Sequence, residues 1–169
     1  ERKGLGHPDT LADGIAEAVS LKIVNLADSL GIQCAHGNTD QVEIIAGDVE
    51  VHPGGGRIIS PVEIVIAGQV DERIAAEKTT FEKQVRQAAR GYLRRCLRHI
   101  DTRKDAIFKV RINPASQALS NLSSGRKLVA HDTSLGFGYA PFSRAEKLCL
   151  DIEKSLNSSQ FKNIFSRMR

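Results

Sequence analysis

Leu11, Ile15, Val19, Leu26 and Leu30 recur at near-helical spacing and predict a helix over residues 8–30. Pro8 suits its first position, where a fixed φ helps and an amide N–H is not needed. Gly31 reads as its C-terminal cap. After a polar loop, His36 to Asp40, residues 41–47 alternate as a strand. Pro53 and the three glycines Gly54 to Gly56 predict a turn or exposed loop over 48–57. Ile58, Ile59, Val62, Ile64, Val65 and Ile66 form a β-branched run, which predicts a buried strand over 58–70. Residues 41–70 thus read as one hairpin with a glycine-rich loop.

The second helix is announced by Thr79-Thr80-Phe81-Glu82, a capping box with Thr79 as cap. Phe81, Val85, Ala88, Tyr92, Cys96 and Ile100 make its apolar stripe. Residues 106–112 alternate between Ala106, Phe108, Val110, Ile112 and the charged Lys109 and Arg111, the pattern of a half-buried strand. Residues 113–131 read as an exposed loop, and 131–141 break every period. Ser143 to Glu146 is a second capping box, opening a helix to about Leu156. The polar, basic tail 157–169 carries a short apolar anchor in Phe161, Ile164 and Phe165. The order is helix, two strands, helix, strand, loop, helix. With a strand ahead of Glu1, the first five elements make a βαββαβ unit. That is an α+β fold of two layers, with the helices on one face of a sheet. We expect an N-terminal α+β domain over 1–125, then a binding loop and helix over 126–169 that lead into a further domain.

Composition narrows this picture only slightly. The length of 169 residues suits one domain or a little more. No apolar run approaches a membrane span, and no signal peptide is visible. The chain opens at Glu1 and its single methionine is Met168, so a native segment is expected before it. Cys34, Cys96 and Cys149 lack metal-ligand spacing and read as free thiols in a reducing compartment, which points to the cytoplasm.

Candidate chemistry gathers at the start. Gly4 and Gly6 precede His7, and Asp9 and Asp13 share a face near the first helix start. A helix N-terminus attracts phosphate, and carboxylates there can hold Mg²⁺ against it. A glycine turn with a capping aspartate and a solvated acidic helix start accounts for the same residues. Asp132, beside Gly136 and Gly138, fits either a binding loop or an Asx turn. Lys83, Arg86, Arg90, Arg94 and Arg98 line one face of the second helix. Such a stripe can bind nucleic acid. Nothing aromatic is interleaved with it for base stacking, so nucleic-acid binding is disfavoured.

Several blocks in order resemble the S-adenosylmethionine synthetases (methionine adenosyltransferases) of the divergent archaeal type. They are Glu-Arg-Lys-Gly-Leu-Gly-His-Pro-Asp at 1–9, Asp-Gly-Ile-Ala-Glu at 13–17 and Asn-Thr-Asp-Gln-Val-Glu at 38–43. Gly-Gly-Gly at 54–56 follows, with Ser-Pro at 60–61, Asp-Thr-Ser-Leu-Gly-Phe-Gly-Tyr-Ala-Pro at 132–141 and Leu-Asn-Ser at 156–158. The resemblance implies the N-terminal portion of an enzyme that joins methionine to ATP and then hydrolyses the triphosphate. It assigns His7 to the leaving triphosphate and Asp9 to Mg²⁺. Asp132 falls near the ribose and the developing sulfonium, and Glu1 and Gly6 fall in the nucleotide site. Asp40 and Asp48 fall at the methionine end, Asp40 also near a monovalent cation, K⁺. The family implies a homodimer with active sites between chains. Ala12 stands where the archaeal type usually has cysteine, and Asp48 where it often has histidine. Asn113 and Pro114 replace a glycine- and glutamine-bearing methionine loop. The lysine, arginine and aspartate residues that grip the triphosphate elsewhere in the family are expected beyond Arg169. The rival readings are a truncated or degenerate, non-catalytic paralogue that binds a nucleotide or partner chain, and a basic nucleic-acid-binding α/β domain.

Overall fold

The computed structural model describes residues 2–32, 37–115, 138–161 and 163. Their elements are α1 (Pro8–Ser29), β1 (Gly37–Ile45), β2 (Asp48–His52), β3 (Gly55–Ser60), β4 (Val62–Val70), α2 (Lys78–Cys96), β5 (Ala106–Pro114) and α3 (Arg144–Asn157). They fall into two compact units, one within Leu5–Val129 and one within Glu1–Gly4 and Ala130–Arg169. The expected domain boundary at 125/126 lies outside the described residues.

In the larger unit, β1, β4 and β5 form a sheet in the order β1-β4-β5. β1 runs antiparallel to β4, and β5 runs parallel to it across the α2 crossover. The parallel register sets Ile64 beside Phe108 and Ile66 beside Val110. These four join the stripes of α1 and α2 in a single core, so both helices cover one face of the sheet. The fold is α+β, as the element order predicts. Glu63 and Lys109 alternate onto the other face and pair at 2.7 Å.

α1 buries Leu11, Ile15, Val19, Ile23 and Ala27. Leu26 packs half-buried beside them. Leu30, expected in the stripe, is the C-cap and is exposed, because it has already left the helical path. The end is a Schellman motif: Gly31 takes φ +65, Ile32 N–H donates to Ala27 O at 2.9 Å and Gly31 N–H to Asp28 O at 3.0 Å.

Four details differ from the sequence pattern. First, the predicted strand over 58–70 is two strands, because Pro61 has no N–H for a ladder and falls between β3 and β4. The predicted loop over 48–57 is largely the β2–β3 hairpin. Pro53 and Gly54, at φ +87, form its turn. Val49 and Val51 alternate with the Glu50–Arg57 pair, and Val51 is 80% exposed. Second, β1 begins at Gly37, four residues before the predicted strand, because an irregularity at Thr39 and Asp40 hides its alternation. Third, α2 starts at Lys78 with Glu77 as N-cap and no side-chain cap bond, so Thr79 lies inside the first turn and its capping box does not form. The α2 stripe is Phe81, Val85, Ala89 and Leu93. Ala88, Tyr92 and Cys96 flank it half-buried, and Ile100 lies beyond the helix. Fourth, β5 runs two residues past Ile112, through Asn113 and Pro114. It is an edge strand among the described strands, where a missing proline N–H is tolerated.

In the smaller unit, α3 has its predicted capping box. Glu146 N–H donates to Ser143 Oγ at 3.3 Å, and Ser143 N–H donates to Glu146 Oε2 at 2.8 Å. No residue of α3 is buried.

Candidate functional site

His7 is the N-cap of α1, with extended backbone at φ −68 and ψ 138. Its Nδ1 accepts the Asp9 amide N–H at 3.2 Å, and its carbonyl accepts Leu11 N–H at 2.9 Å. The cap is thus an imidazole, where an aspartate would be the ordinary choice. The bond fixes the ring chemistry as well. An Nδ1 that accepts carries no proton, so the neutral ring keeps its proton on Nε2 and presents a donor. Asp9 Oδ1 lies 4.0 Å from Nδ1, and the two side chains are 41% (His7) and 60% (Asp9) exposed. A donor and a carboxylate therefore sit together at the positive end of a helix dipole. Gly6 precedes them with ordinary room for a Cβ, 3.6 Å from Leu97, so packing does not dictate glycine there.

Asp40 occupies a different place. Thr39 and Asp40 together stand opposite Gly68, one residue more on β1 than on β4. Asn38 Nδ2 donates to Asp40 Oδ1 at 3.4 Å, and Ser20 Oγ donates to Thr39 Oγ1 at 3.1 Å. Ser20 lies eleven residues past Asp9 on α1, roughly 16 Å along the axis. The structure thus unites His7 with Asp9, and Asp40 with Asn38 and Thr39, three turns apart. Asp48 opens β2 exposed, its N–H donating to Ser60 Oγ at 2.8 Å. Glu1 and Asp132 lie outside the described residues.

Among the described residues, no three His, Cys, Asp or Glu side chains gather to hold a metal. Beside His7 at the α1 start, Asp9 offers a hard oxygen. Such a donor fits Mg²⁺ that takes its other ligands from phosphates and water, the usual manner for this ion.

In the smaller unit, Tyr139 donates its hydroxyl to Glu146 Oε1. Hydrogen bonds from Ser143 first, and then Tyr139, hold the Glu146 carboxyl below its ordinary range. The bond to Glu146 likewise pushes the Tyr139 phenol up. A cavity of about 520 Å³ lies beside them, lined by Arg2, Lys3, Phe142, Glu146, Cys149 and Leu150 among others. Cys96 and Cys149 are free thiols. On α2, Arg86 donates to Glu82 at 2.5 Å and to Phe108 O at 3.4 Å. Arg90 donates to Thr102 O at 3.1 Å and lies over the Phe108 ring. Arg98, expected on that face, lies beyond the end of α2 at Cys96, and two of the remaining four basic residues are thus committed to the fold.

The family described as S-adenosylmethionine synthetase (AdoMet synthetase) matches residues 1–168. The chain belongs to that family. It is 40% identical over 157 residues to the S-adenosylmethionine synthase of Thermoplasma acidophilum, covering 93% of this chain and 39% of the relative. It is 39% identical over 166 residues to that of Pyrococcus furiosus, covering 96% and 41%. It is 40% identical over 172 residues to that of Methanocaldococcus jannaschii, covering 96% and 42%. The chain therefore spans about two fifths of the length of these S-adenosylmethionine synthases. No described helix is long and apolar enough to cross a membrane.

Two features of this S-adenosylmethionine synthetase chain escaped the sequence pattern. The capping role of His7 had a signal, a polar side chain directly before a Pro-Asp helix start. The Tyr139–Glu146 bond had none, because nothing in a capping box names a third partner.

Proposed function

We propose that this chain carries part of a methionine adenosyltransferase site. In that reaction the methionine sulfur forms a bond to the ribose 5′ carbon of ATP. The C5′–O bond breaks, and the triphosphate leaves with the electron pair before it is hydrolysed. The observation that carries the reading is the His7 cap. Its Nδ1 is committed to the backbone, which leaves Nε2–H to donate to the oxygen that gains charge as the triphosphate departs. Donors fixed in advance at a developing charge are the strongest form of such catalysis. Asp9 holds Mg²⁺ at the same helix end, where the ion supplies charge neutralisation to the phosphates. Asp132 stands near the ribose and the sulfonium, and Glu1 and Gly6 belong to the nucleotide side. Asp40 and Asp48 belong to the methionine end, Asp40 with K⁺.

The reading extends to a cytoplasmic homodimer with sites between chains, and to a functional division into 1–125 and 126–169. Two exposed groups do not suffice for a leaving group of several negative charges. The chain alone is expected to form no S-adenosylmethionine. The test replaces the matching segment of the Pyrococcus furiosus S-adenosylmethionine synthase with residues 1–169. ATP, methionine, Mg²⁺ and K⁺ are supplied, and product is assayed. The chimera should turn over, and His7→Ala should slow it roughly a hundredfold or more. A folded chimera without turnover, or one indifferent to His7→Ala, would overturn the reading.

A further inference from the structure

We infer that Gly68 is a positioning residue for the Asp40 end of the site, an inference that rests on the reading of Asp40 above. β1 and β4 pair regularly from Ile45 opposite Glu63 to Gln41 opposite Ala67. The next pair is Asn38 opposite Gln69, so β1 spends three residues where β4 spends two. The extra residue reverses the parity of everything before Gln41. Without it, Asn38 would stand opposite Val70, a core residue; with it, Gly37 takes that place and packs on Ile23 of α1. It also carries Thr39 to Ser20.

Gly68 makes this possible by lacking a Cβ. A Cβ there would overlap the Asn38 carbonyl oxygen and press on Asn38 C at 3.1 Å and Asp40 N at 3.2 Å. All three are backbone atoms, so no side-chain rotation relieves the clash. Any larger residue must expel the bulge or move the backbone that carries Asp40. An isolated glycine inside a strand marks such a close approach, and bulges recur where a side chain must be re-aimed.

The test has a compensating arm. In the 169-residue chain, Gly68→Ala should lower Tm by roughly 5–10 °C and erase the cross-strand NMR contacts of Asn38 with Gln69. Deleting Thr39 as well removes the residue that needs the gap, and should restore most of the lost Tm. General damage at position 68 would not be repaired by a deletion on another strand. In the Pyrococcus furiosus chimera, the repaired variant should raise KM for methionine by on the order of tenfold and leave KM for ATP nearly unchanged. Gly68→Ala with unchanged Tm and intact Asn38–Gln69 contacts would overturn the inference. So would a deletion that restores nothing, or a repaired variant with normal KM while Asp40→Asn raises it. Normal KM in Asp40→Asn too would overturn the reading of Asp40, and the inference with it.

Discussion

α2 and α3 invert each other. α2 begins without any side-chain cap bond, yet buries Phe81, Val85, Ala89 and Leu93. α3 begins with a complete capping box, reinforced by Tyr139, yet buries nothing. The difference separates two jobs. Local hydrogen bonds fix where a helix starts, each contributing about 1 kcal/mol. Burial of an apolar stripe fixes whether the helix belongs to a core, and a single large side chain there outweighs several caps.

The largest effect expected from this contrast is in the stripe. Leu93, 1% exposed, should cost about 3–5 kcal/mol on mutation to Ala in urea unfolding. Ile152 of α3, 51% exposed, should cost less than about 0.5 kcal/mol. Similar values for the two would erase the distinction.

A middle effect comes from two glycines, one on each helix of the larger unit. A Cβ on Gly14 of α1 would overlap the Tyr92 ring, whereas one on Gly91 of α2 would meet only Arg95 Nη1 at 4.0 Å. Gly14→Ala should destabilise by about 1–3 kcal/mol through overpacking. Gly91→Ala should stabilise by about 0.5–1 kcal/mol through helix propensity. Equal signs in thermal unfolding would mean that α1 and α2 do not pack as described.

The smallest effects belong to the caps. Ser143→Ala should speed amide exchange in the first turn of α3 about fivefold, corresponding to about 1 kcal/mol, while Thr79→Ala leaves α2 exchange unchanged. The α3 cap should also be acid-sensitive. Glu146 has a lowered carboxyl pKa, so its contribution is complete above the ordinary value of about 4.5 and is lost as pH falls through the lowered one. Protection of the α3 amides, taken relative to their intrinsic exchange rates at each pH, that shows no loss on acidification would remove Glu146 from the cap.

The candidate site was legible in the sequence only where its residues are contiguous. His7, Pro8 and Asp9 stand side by side in the chain, so their meeting at a helix start could be read directly. Asp40 could be named from its motif, but its setting could not. That setting depends on Gly68, twenty-eight residues away, and no period in either strand announces a bulge in their pairing.

By itself the sequence determined the α+β order, the Schellman end at Gly31, the capping box at Ser143 and the family blocks. These depend on neighbours within about four residues, where spacing alone brings groups together. Only the tertiary structure decided the hairpin inside 48–60, the four-residue stripe on α2, the release of Thr79 from capping and the extra residue opposite Gly68. Each is settled by which strand or helix lies across from it, and packing between distant segments overrides local preference because it removes far more surface from water.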